Sequence, residues 1–222
     1  MTIGTDIING PTGLGQPLAA LGKPWPTWLF YTSKRAMDVI FAAVALLVTW
    51  PVFLVICILI KADSEGPVFY RQKRHGLYGA TFEIIKFRTM LVNQENFIQC
   101  KNDDPRVTLL GKFLRKTSLD ELPQLLNVLR GQMSLVGPRP HAVQHDQQLA
   151  EFVPHIMSRY VVKPGITGLA QVLGFRGPTD TAIAIQNRLA ADLRYVETCS
   201  VWLDLKIMLL TVPVVLSESN AH

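Results

Sequence analysis

An uncharged run of 22 residues, from Val39 to Ile60, constrains this chain more than any other feature. At a rise of about 1.5 Å per residue it reaches roughly 33 Å as a straight helix, enough to cross a bilayer. Only 18% of the chain is charged, and the mean hydropathy of +0.23 also indicates membrane contact. The run therefore predicts a membrane-embedded helix.

Two features argue against a plain crossing of the bilayer. Lys34 and Arg35 precede the run and a basic segment follows it from Lys61, so a single crossing leaves one basic flank on the wrong side under the positive-inside tendency. Pro51 lies near the middle, where it breaks or kinks a helix. We predict a re-entrant helix-break-helix over residues 34–61 with both ends in the cytoplasm, and a full crossing is the alternative.

The rest of the chain predicts an α+β fold that is mainly helical. Alternating apolar and aromatic residues in 66–79 and 81–88 predict a small β-hairpin that turns at Gly76 and Gly79. Helical patterns cover 106–130 (broken at Ser118), 146–160 (an amphipathic stripe), 180–197 and 201–216 (too short an uncharged stretch to span). The expected organisation is an irregular N-terminal tail at 1–33, the membrane segment at 34–61, a compact domain at 62–216 and a C-terminal tail at 217–222.

The net charge of the chain is concentrated in one segment. Residues 61–140 hold thirteen Lys or Arg and eight Asp or Glu, an excess of five that equals the net charge of the whole chain. Such a segment favours anionic partners: nucleotides, phosphorylated lipids, a membrane surface or nucleic acid. The three cysteines form no CxxC pair and no GxGxxG or Walker-type loop is present, which argues against a disulfide framework, a zinc site, a dinucleotide fold and a P-loop enzyme.

Within that segment, Asp120 and Glu121 lie side by side among Arg115, Lys116 and Arg130. A cationic setting keeps carboxylates ionised, which suits nucleophilic attack or metal binding. The same residues fit a capping box, in which Ser118 and Glu121 start a helix. Pro123 conflicts with that helix start, since proline prefers the first helical position. The spacing leaves both interpretations open.

Further basic residues occur in stiff or alternating segments. The turns 136–140 and 162–168 are rich in Gly and Pro and contain Arg139 and Lys163; successive N–H groups in such turns can bind anions. Lys86 and Arg88 alternate with apolar residues, so both are expected on one face of a strand. Solvated cations on rigid loops are the alternative for each.

Seven ordered blocks span most of the chain: Lys34-Arg-Ala-Met-Asp38, Phe69-Tyr-Arg-Gln72, Lys86-Phe-Arg-Thr-Met90, Asp104-Pro-Arg-Val107, Ser118-Leu-Asp-Glu-Leu-Pro-Gln124, Met133-Ser-Leu-Val-Gly-Pro-Arg-Pro140 and Lys163-Pro-Gly-Ile-Thr-Gly168. Taken together, these blocks resemble the bacterial sugar transferase family, the monotopic phosphoglycosyl transferases, from about Lys34 to Leu216. The further blocks Gly137-Pro-Arg-Pro-His-Ala-Val143, Gly174-Phe-Arg-Gly-Pro-Thr-Asp-Thr181 and Trp202-Leu-Asp-Leu-Lys206 look most like the glucose-1-phosphate transferase branch, in a short form.

The resemblance implies that the chain transfers a hexose-1-phosphate, glucose or galactose, from a UDP-sugar to undecaprenyl phosphate, releases UMP and starts polysaccharide assembly. Asp120 is then the nucleophile and Glu121 its partner, with Mg²⁺ held by Glu121 and shared by Asp120. Arg115 is the first expected phosphate clamp. The other expected phosphate or substrate contacts are Arg88, Lys86, Arg139 and Lys163.

The resemblance also implies a location and partners. The 62–216 catalytic domain is expected to face the cytoplasm at the bacterial inner membrane, in contact with its lipids, with 146–160 and 201–216 as membrane-parallel helices. A homodimer is one alternative for the assembly. The rival function is a membrane-tethered basic module that binds anionic lipid or nucleic acid without catalysis. Nucleic acid is not expected as a partner, because the chain lacks an aromatic stacking ladder and a recognition helix.

Overall fold

The computed structural model describes residues 27–92, 104–153, 155–175 and 181–217 of the 222-residue chain. The helices are α1 (Thr27–Asp63), α2 (Leu109–Lys116), α3 (Gln124–Leu129), α4 (Val143–Ala150), α5 (Leu169–Val172), α6 (Ala182–Thr198) and α7 (Val201–Ser217). The strands are β1 (Phe69–His75), β2 (Thr81–Phe87), β3 (Ser134–Val136) and β4 (Gly165–Thr167). Three 3₁₀ turns cover Leu77–Gly79, Leu119–Glu121 and Ile156–Val161. The architecture is mainly helical with small sheets, as predicted.

The two predicted tails lie mostly outside the described residues. The N-terminal tail was expected to extend to residue 33, but α1 already begins at Thr27. At the other end, α7 continues to Ser217. Residues 1–26 and 218–222 are outside the described ranges.

Helix α1 runs without interruption for 37 residues and includes Pro51, so the break predicted there is wrong. By length and composition, Leu29–Asp63 is able to cross a membrane, and 11% of its most apolar stretch is buried. Pro51 is exposed, and it lacks the N–H that would donate to the carbonyl four residues earlier. Two residues earlier, the Thr49 hydroxyl donates to the Ala45 carbonyl at 2.6 Å, a contact that often bends helices.

One face of α1 packs against the rest of the protein along most of its length. Ala42 joins a core cluster with Ile84 of β2 and Val128 of α3. Fourteen residues later, Ile56 joins a second cluster with Phe87 at the end of β2. The opposite face leaves many apolar side chains exposed, which are Ile40, Phe41, Val44, Leu47, Val48, Trp50, Val52, Leu54, Val55, Ile58 and Leu59.

Both ends of α1 are fastened to the same domain. At the start, Lys34 forms a buried ion pair with Asp204 of α7 at 2.5 Å and donates to the Val136 carbonyl at 3.1 Å. At the end, Arg88 donates to the Ser64 carbonyl at 2.7 Å and to that of Glu65. Lys34 therefore serves as an internal partner and not as a solvated flank of the membrane segment.

The predicted β-hairpin is confirmed. Strands β1 and β2 pair antiparallel, with Tyr70 opposite Lys86 and Arg74 opposite Phe82. A parallel pair, β3 and β4, was not predicted. It brings the two Gly/Pro-rich turns into backbone contact, since a Cβ added to Gly165 would lie 2.1 Å from the Gly137 nitrogen.

In this contact, two of the N–H groups that were expected to bind anions donate to backbone carbonyls instead. Gly137 N donates to the Thr167 carbonyl at 2.9 Å, and Gly165 N donates to the Pro138 carbonyl at 3.0 Å. These two donors are therefore not available to an anion, and anion binding by the other N–H groups of the two turns stays a prediction.

The helix predicted over 146–160 is wrong in extent. Helix α4 ends at Ala150, and a 3₁₀ turn resumes only at Ile156, because a proline at position 154 disfavours helix at and before it. Leu149 and Ile156 are buried against Leu189 of α6, so most of the predicted apolar stripe packs inside the domain. Phe152 is the exception, at 79% exposure.

The last two helical predictions are confirmed. Helix α6 covers nearly the expected range, and α7 follows it directly. Ile207 of α7 is buried, while Trp202 and Leu209 on other faces are exposed. Such a surface suits an interfacial helix.

Candidate active site

A residue in the left-handed conformation interrupts the helical backbone just before the two carboxylates. Ser118 has φ 56°, a left-handed conformation, and its side chain does not cap the following turn. Asp120 and Glu121 belong to the 3₁₀ turn, and Pro123 is the N-cap residue of α3. The predicted break at Ser118 is confirmed, and the capping-box alternative is wrong. Both carboxylates are buried, each with 8% exposure.

Glu121 is held by two cations from different elements. Lys86 of β2 donates to Oε1 at 2.8 Å. Arg139, from the loop after β3, donates to Oε2 at 3.1 Å and also to Oε1, so the pair is bidentate. Glu121 raises the pKa of the Arg139 guanidinium above its usual value, whereas burial lowers that of Lys86.

Asp120 lies in the same pocket but is less engaged. Its Oδ2 is 3.9 Å from the Lys86 ammonium. Burial, with the neighbouring Glu121 charge, raises the pKa of Asp120 despite the opposing effects of Lys86, Arg139 and Arg115. We expected the cations to dominate, and for Asp120 burial outweighs them.

Two further cations approach the pair. Arg115 donates through Nε to the Thr89 hydroxyl at 2.9 Å and acts electrostatically on Asp120. Arg74 of β1, which the sequence analysis missed, donates to the Pro140 carbonyl at 3.0 Å. Burial and the nearby Arg139 charge lower the pKa of Arg74 to about 10. Its strand position could have revealed it, because the period of two places Arg74 on the same face as Tyr70, the partner of Lys86.

Two predicted site residues lie elsewhere. Arg88 binds carbonyls at the end of α1, including Ser64 O at 2.7 Å. Lys163 lies near Arg35 and Gly131, beyond the far end of α3 from the carboxylates. Of the five predicted phosphate contacts, the structure therefore brings Lys86, Arg139 and Arg115 together around the pair.

A buried polar network supports the loop that carries Arg139. Arg159, 1% exposed, donates to the Arg139 carbonyl at 2.7 Å and forms an ion pair with Asp192 at 2.6 Å. Beside it, Asp146 accepts from Tyr160 at 2.6 Å and lies 2.9 Å from His141 Nδ1. Burial and the Arg159 charge lower the pKa of His141 to about 3, so this ring is neutral. Four separate chain segments supply these residues, so no local pattern marks them.

The donor set suits a hard divalent cation only in part. Among the described residues, no group of three or more His, Cys, Asp or Glu side chains is clustered as metal ligands. Mg²⁺ commonly takes one or two carboxylates and completes its shell with water and substrate phosphate, and the Asp120–Glu121 pair fits that requirement. Both Glu121 oxygens already face cations, so Asp120 offers the more available donor.

Comparison with known proteins gives a consistent family assignment. Residues 29–218 match the family described as bacterial sugar transferase. The chain is 48% identical over 218 residues to the UDP-glucose:undecaprenyl-phosphate glucose-1-phosphate transferase of Caulobacter vibrioides, covering 96% of this chain and 82% of the relative. It is 50% identical to the protein of the same name from Escherichia coli K12 over 81% of this chain, but spans only 39% of that relative.

A third relative is the exopolysaccharide production protein PSS of Rhizobium leguminosarum bv. phaseoli. It is 44% identical, over 81% of this chain and 92% of the relative. The similarity thus extends to relatives of comparable length as well as to the corresponding part of longer ones.

Proposed function

Because the chain belongs to the bacterial sugar transferase family, we propose that it transfers glucose-1-phosphate from UDP-glucose to undecaprenyl phosphate and releases UMP. The observation that carries this proposal is the buried Asp120–Glu121 pair with Lys86, Arg139 and Arg115 around it. The product would start the assembly of an exopolysaccharide, capsule or O-antigen. The relatives' names do not favour a binding module without catalysis.

In the first step, a carboxylate oxygen of Asp120 attacks the sugar-bearing phosphorus of UDP-glucose. A bond forms between that oxygen and phosphorus, and the bond to the bridging oxygen breaks, so UMP leaves with the electron pair. The attack brings an anion to a diphosphate, and Lys86, Arg139 and Arg115 offset the repulsion. Asp120 suits this role better than Glu121, since its oxygens are not held by a bidentate arginine.

In the second step, a phosphate oxygen of undecaprenyl phosphate attacks the same phosphorus. The aspartyl–phosphorus bond breaks, the Asp120 carboxylate is restored and undecaprenyl-diphosphate-glucose leaves. Neither step requires a proton transfer, because both nucleophiles are anions. Two bulky substrates can therefore use one pocket in turn.

Glu121 acts in this proposal by orienting the cations. Its bidentate contact fixes the Arg139 fork, and its contact with Lys86 holds the ammonium near Asp120. Mg²⁺, held by Asp120 and Glu121, would neutralise diphosphate charge when bound. We infer the metal from the carboxylate pair, and isothermal titration of Mg²⁺ into wild type and Asp120→Asn tests it.

The proposed location is the inner membrane, with the domain in the cytoplasm and with α1 bent near Pro51, without a break in the helix, so that it enters and leaves the same leaflet. Support comes from both ends of α1, which contact one domain through Lys34 and Arg88. The exposed apolar residues of α1 and α7 then face lipid, which holds the carboxylate pair close to the acceptor phosphate. A homodimer stays a prediction that the mass of the solubilised protein can test.

The decisive experiment supplies purified full chain with Mg²⁺, undecaprenyl phosphate and, one at a time, UDP-glucose and a panel of other UDP-sugars, and measures UMP. Wild type and Glu83→Gln, which changes an exposed carboxylate on β2, are expected to turn over; Asp120→Asn is expected to be inactive. Absence of UMP with every UDP-sugar rejects the enzyme, and turnover by Asp120→Asn rejects the nucleophile.

Topology has its own test. Single cysteines at Ser33 and Glu65, in a cysteine-free background, mark the two ends of α1. Both are expected to react with an impermeant maleimide only after the cytoplasmic side is opened. Labelling of either one from the periplasm shows a true crossing.

A further inference from the structure

An open groove of about 530 Å³ follows α1 near its start. It is a shallow surface lined by one helix alone, by Tyr31, Thr32, Arg35, Ala36, Val39 and Ile40. The groove runs about 14 Å along the helix, from polar side chains at Tyr31 and Thr32 to the beginning of the uncharged run. A ligand that fits it has a polar end near Arg35 and an apolar end near Ile40.

Arg35, which lines this groove, has a second cation, Lys163, near it. A Cβ added to Gly131 would lie 3.7 Å from Arg35 Nη2 and 3.8 Å from Lys163 Nζ, so these nitrogens are at most 7.5 Å apart. Arg35 also donates to the Val128 and Leu129 carbonyls, which fixes its guanidinium. Within the part of the chain that the structure describes, the Lys163 ammonium has no hydrogen-bond partner.

The surroundings leave this pair short of negative charge. Asp38 is the nearby carboxylate, but its Oδ1 accepts from the Ser134 hydroxyl and the Leu135 N–H. Burial and the Arg35 charge lower the pKa of Lys163. An anion between the two cations would relieve that repulsion. Oxygens of one phosphate, each about 2.8 Å from a nitrogen, fit such a separation.

The pair lies apart from the active site. Glu121 precedes α3 and Gly131 follows it, and the six residues of α3 alone extend about 9 Å. A phosphate beside Lys163 therefore lies at the opposite end of α3 from Asp120.

We propose that Arg35 and Lys163 bind the phosphate of an anionic membrane phospholipid, whose acyl chain lies along Val39 and Ile40. The proposal rests on the membrane location given above but not on the phosphotransfer chemistry. Charge selects the head group, and the apolar end of the groove selects a lipid over free phosphate. The bound lipid ties the start of α1 to the bilayer surface.

Native mass spectrometry of the detergent-solubilised full chain tests this site. Phosphatidylglycerol, phosphatidylcholine and undecaprenyl phosphate are titrated separately into wild type, Lys163→Gln, Lys163→Arg and Lys73→Gln. Lys73 is an exposed lysine on β1 and gives the matched control. We expect Lys163→Gln to weaken phosphatidylglycerol binding about tenfold, with Lys73→Gln and Lys163→Arg close to wild type. Asp120→Asn is expected to bind it as wild type does, which separates this site from catalysis.

Three results overturn the proposal. If wild type and Lys163→Gln bind phosphatidylglycerol equally, Lys163 does not take part in the site. Equal affinity of wild type for phosphatidylcholine and phosphatidylglycerol removes the selection for an anionic lipid, a comparison that needs no variant to fold. Dependence on Lys163 for undecaprenyl phosphate alone assigns the groove to the acceptor.

Discussion

The two neighbouring carboxylates should affect stability in opposite directions. Glu121 neutralises Lys86 and Arg139 at hydrogen-bond distance. Asp120 has its nearest cation at 3.9 Å and a raised pKa. The Glu121 charge is neutralised by nearby cations, whereas the Asp120 charge is buried and, among the described residues, has no cation at hydrogen-bond distance. Replacing each carboxylate by its amide therefore separates the two effects on stability.

For Glu121→Gln, the loss leaves two cations without their carboxylate. The side chains of Lys86 and Arg139 are 18% and 25% exposed, so water screens them only in part. Removing one partner of a buried pair costs about 3–5 kcal/mol, and we expect the lower end here because of that exposure. In a domain of this size, about 3 kcal/mol lowers Tm by roughly 6–12 °C.

For Asp120→Asn, the expected change in stability has the opposite sign. A folded-state pKa above the unfolded value means that the ionised carboxylate reduces stability at pH values above that folded pKa. The amide removes this cost at neutral pH, so Tm is expected to stay the same or to rise. Turnover is lost in the same variant, because the nucleophile is gone.

The assay is thermal unfolding followed by intrinsic fluorescence, in one detergent at pH 7.5, beside UMP release. Glu83→Gln is the matched control, since Glu83 lies 3.8 Å from Arg71 with both side chains more than half exposed. Its expected cost is below about 1 kcal/mol. The reasoning is refuted if Glu121→Gln melts within about 2 °C of wild type, or if Asp120→Asn loses as much stability as Glu121→Gln.

Three further predictions concern pH, positioning and packing. The acid limb of kcat/KM is expected above pH 4, because burial raises the pKa of Asp120 over the ordinary value of about 3.9; a limb at or below that value contradicts the role of burial. Arg159→Lys is expected to lower kcat about tenfold with little change in KM, since one ammonium cannot hold both its partners; an unchanged kcat removes its influence on Arg139. Gly165→Ala is expected to cost about 3 kcal/mol or more, because its Cβ would meet the Gly137 backbone at 2.1 Å; a Tm equal to that of wild type contradicts the close contact.

Local patterns predicted the parts of this structure that depend on neighbours along the chain. The β-hairpin followed from alternation, α6 from its helical period and the break at Ser118 from the conflict between a cap and Pro123. The carboxylate pair was found for the same reason, since Asp120 and Glu121 are adjacent. In each case the deciding residues lie within one element.

The wrong predictions concern the tertiary positions of individual side chains. Arg88 follows Lys86 by two residues, yet it binds carbonyls at the end of α1 because strand β2 ends between them. Lys163 was grouped with Arg139 because both lie in Gly/Pro-rich turns. Strand pairing brings the two backbones together, but the Lys163 ammonium lies beside Arg35. Such placements depend on contacts between distant segments, which composition and spacing do not encode.

The ion pair between Lys34 and Asp204 joins residues 170 positions apart, and this has a consequence for biosynthesis. At about 5–20 residues per second, the ribosome needs roughly 10–30 s to add Asp204 after Lys34. Throughout that interval Lys34 of α1 lacks its carboxylate partner. Final docking of α1 therefore waits until α7 has emerged, and in a nascent chain that stops before Asp204 the start of α1 lacks this ion pair with the domain.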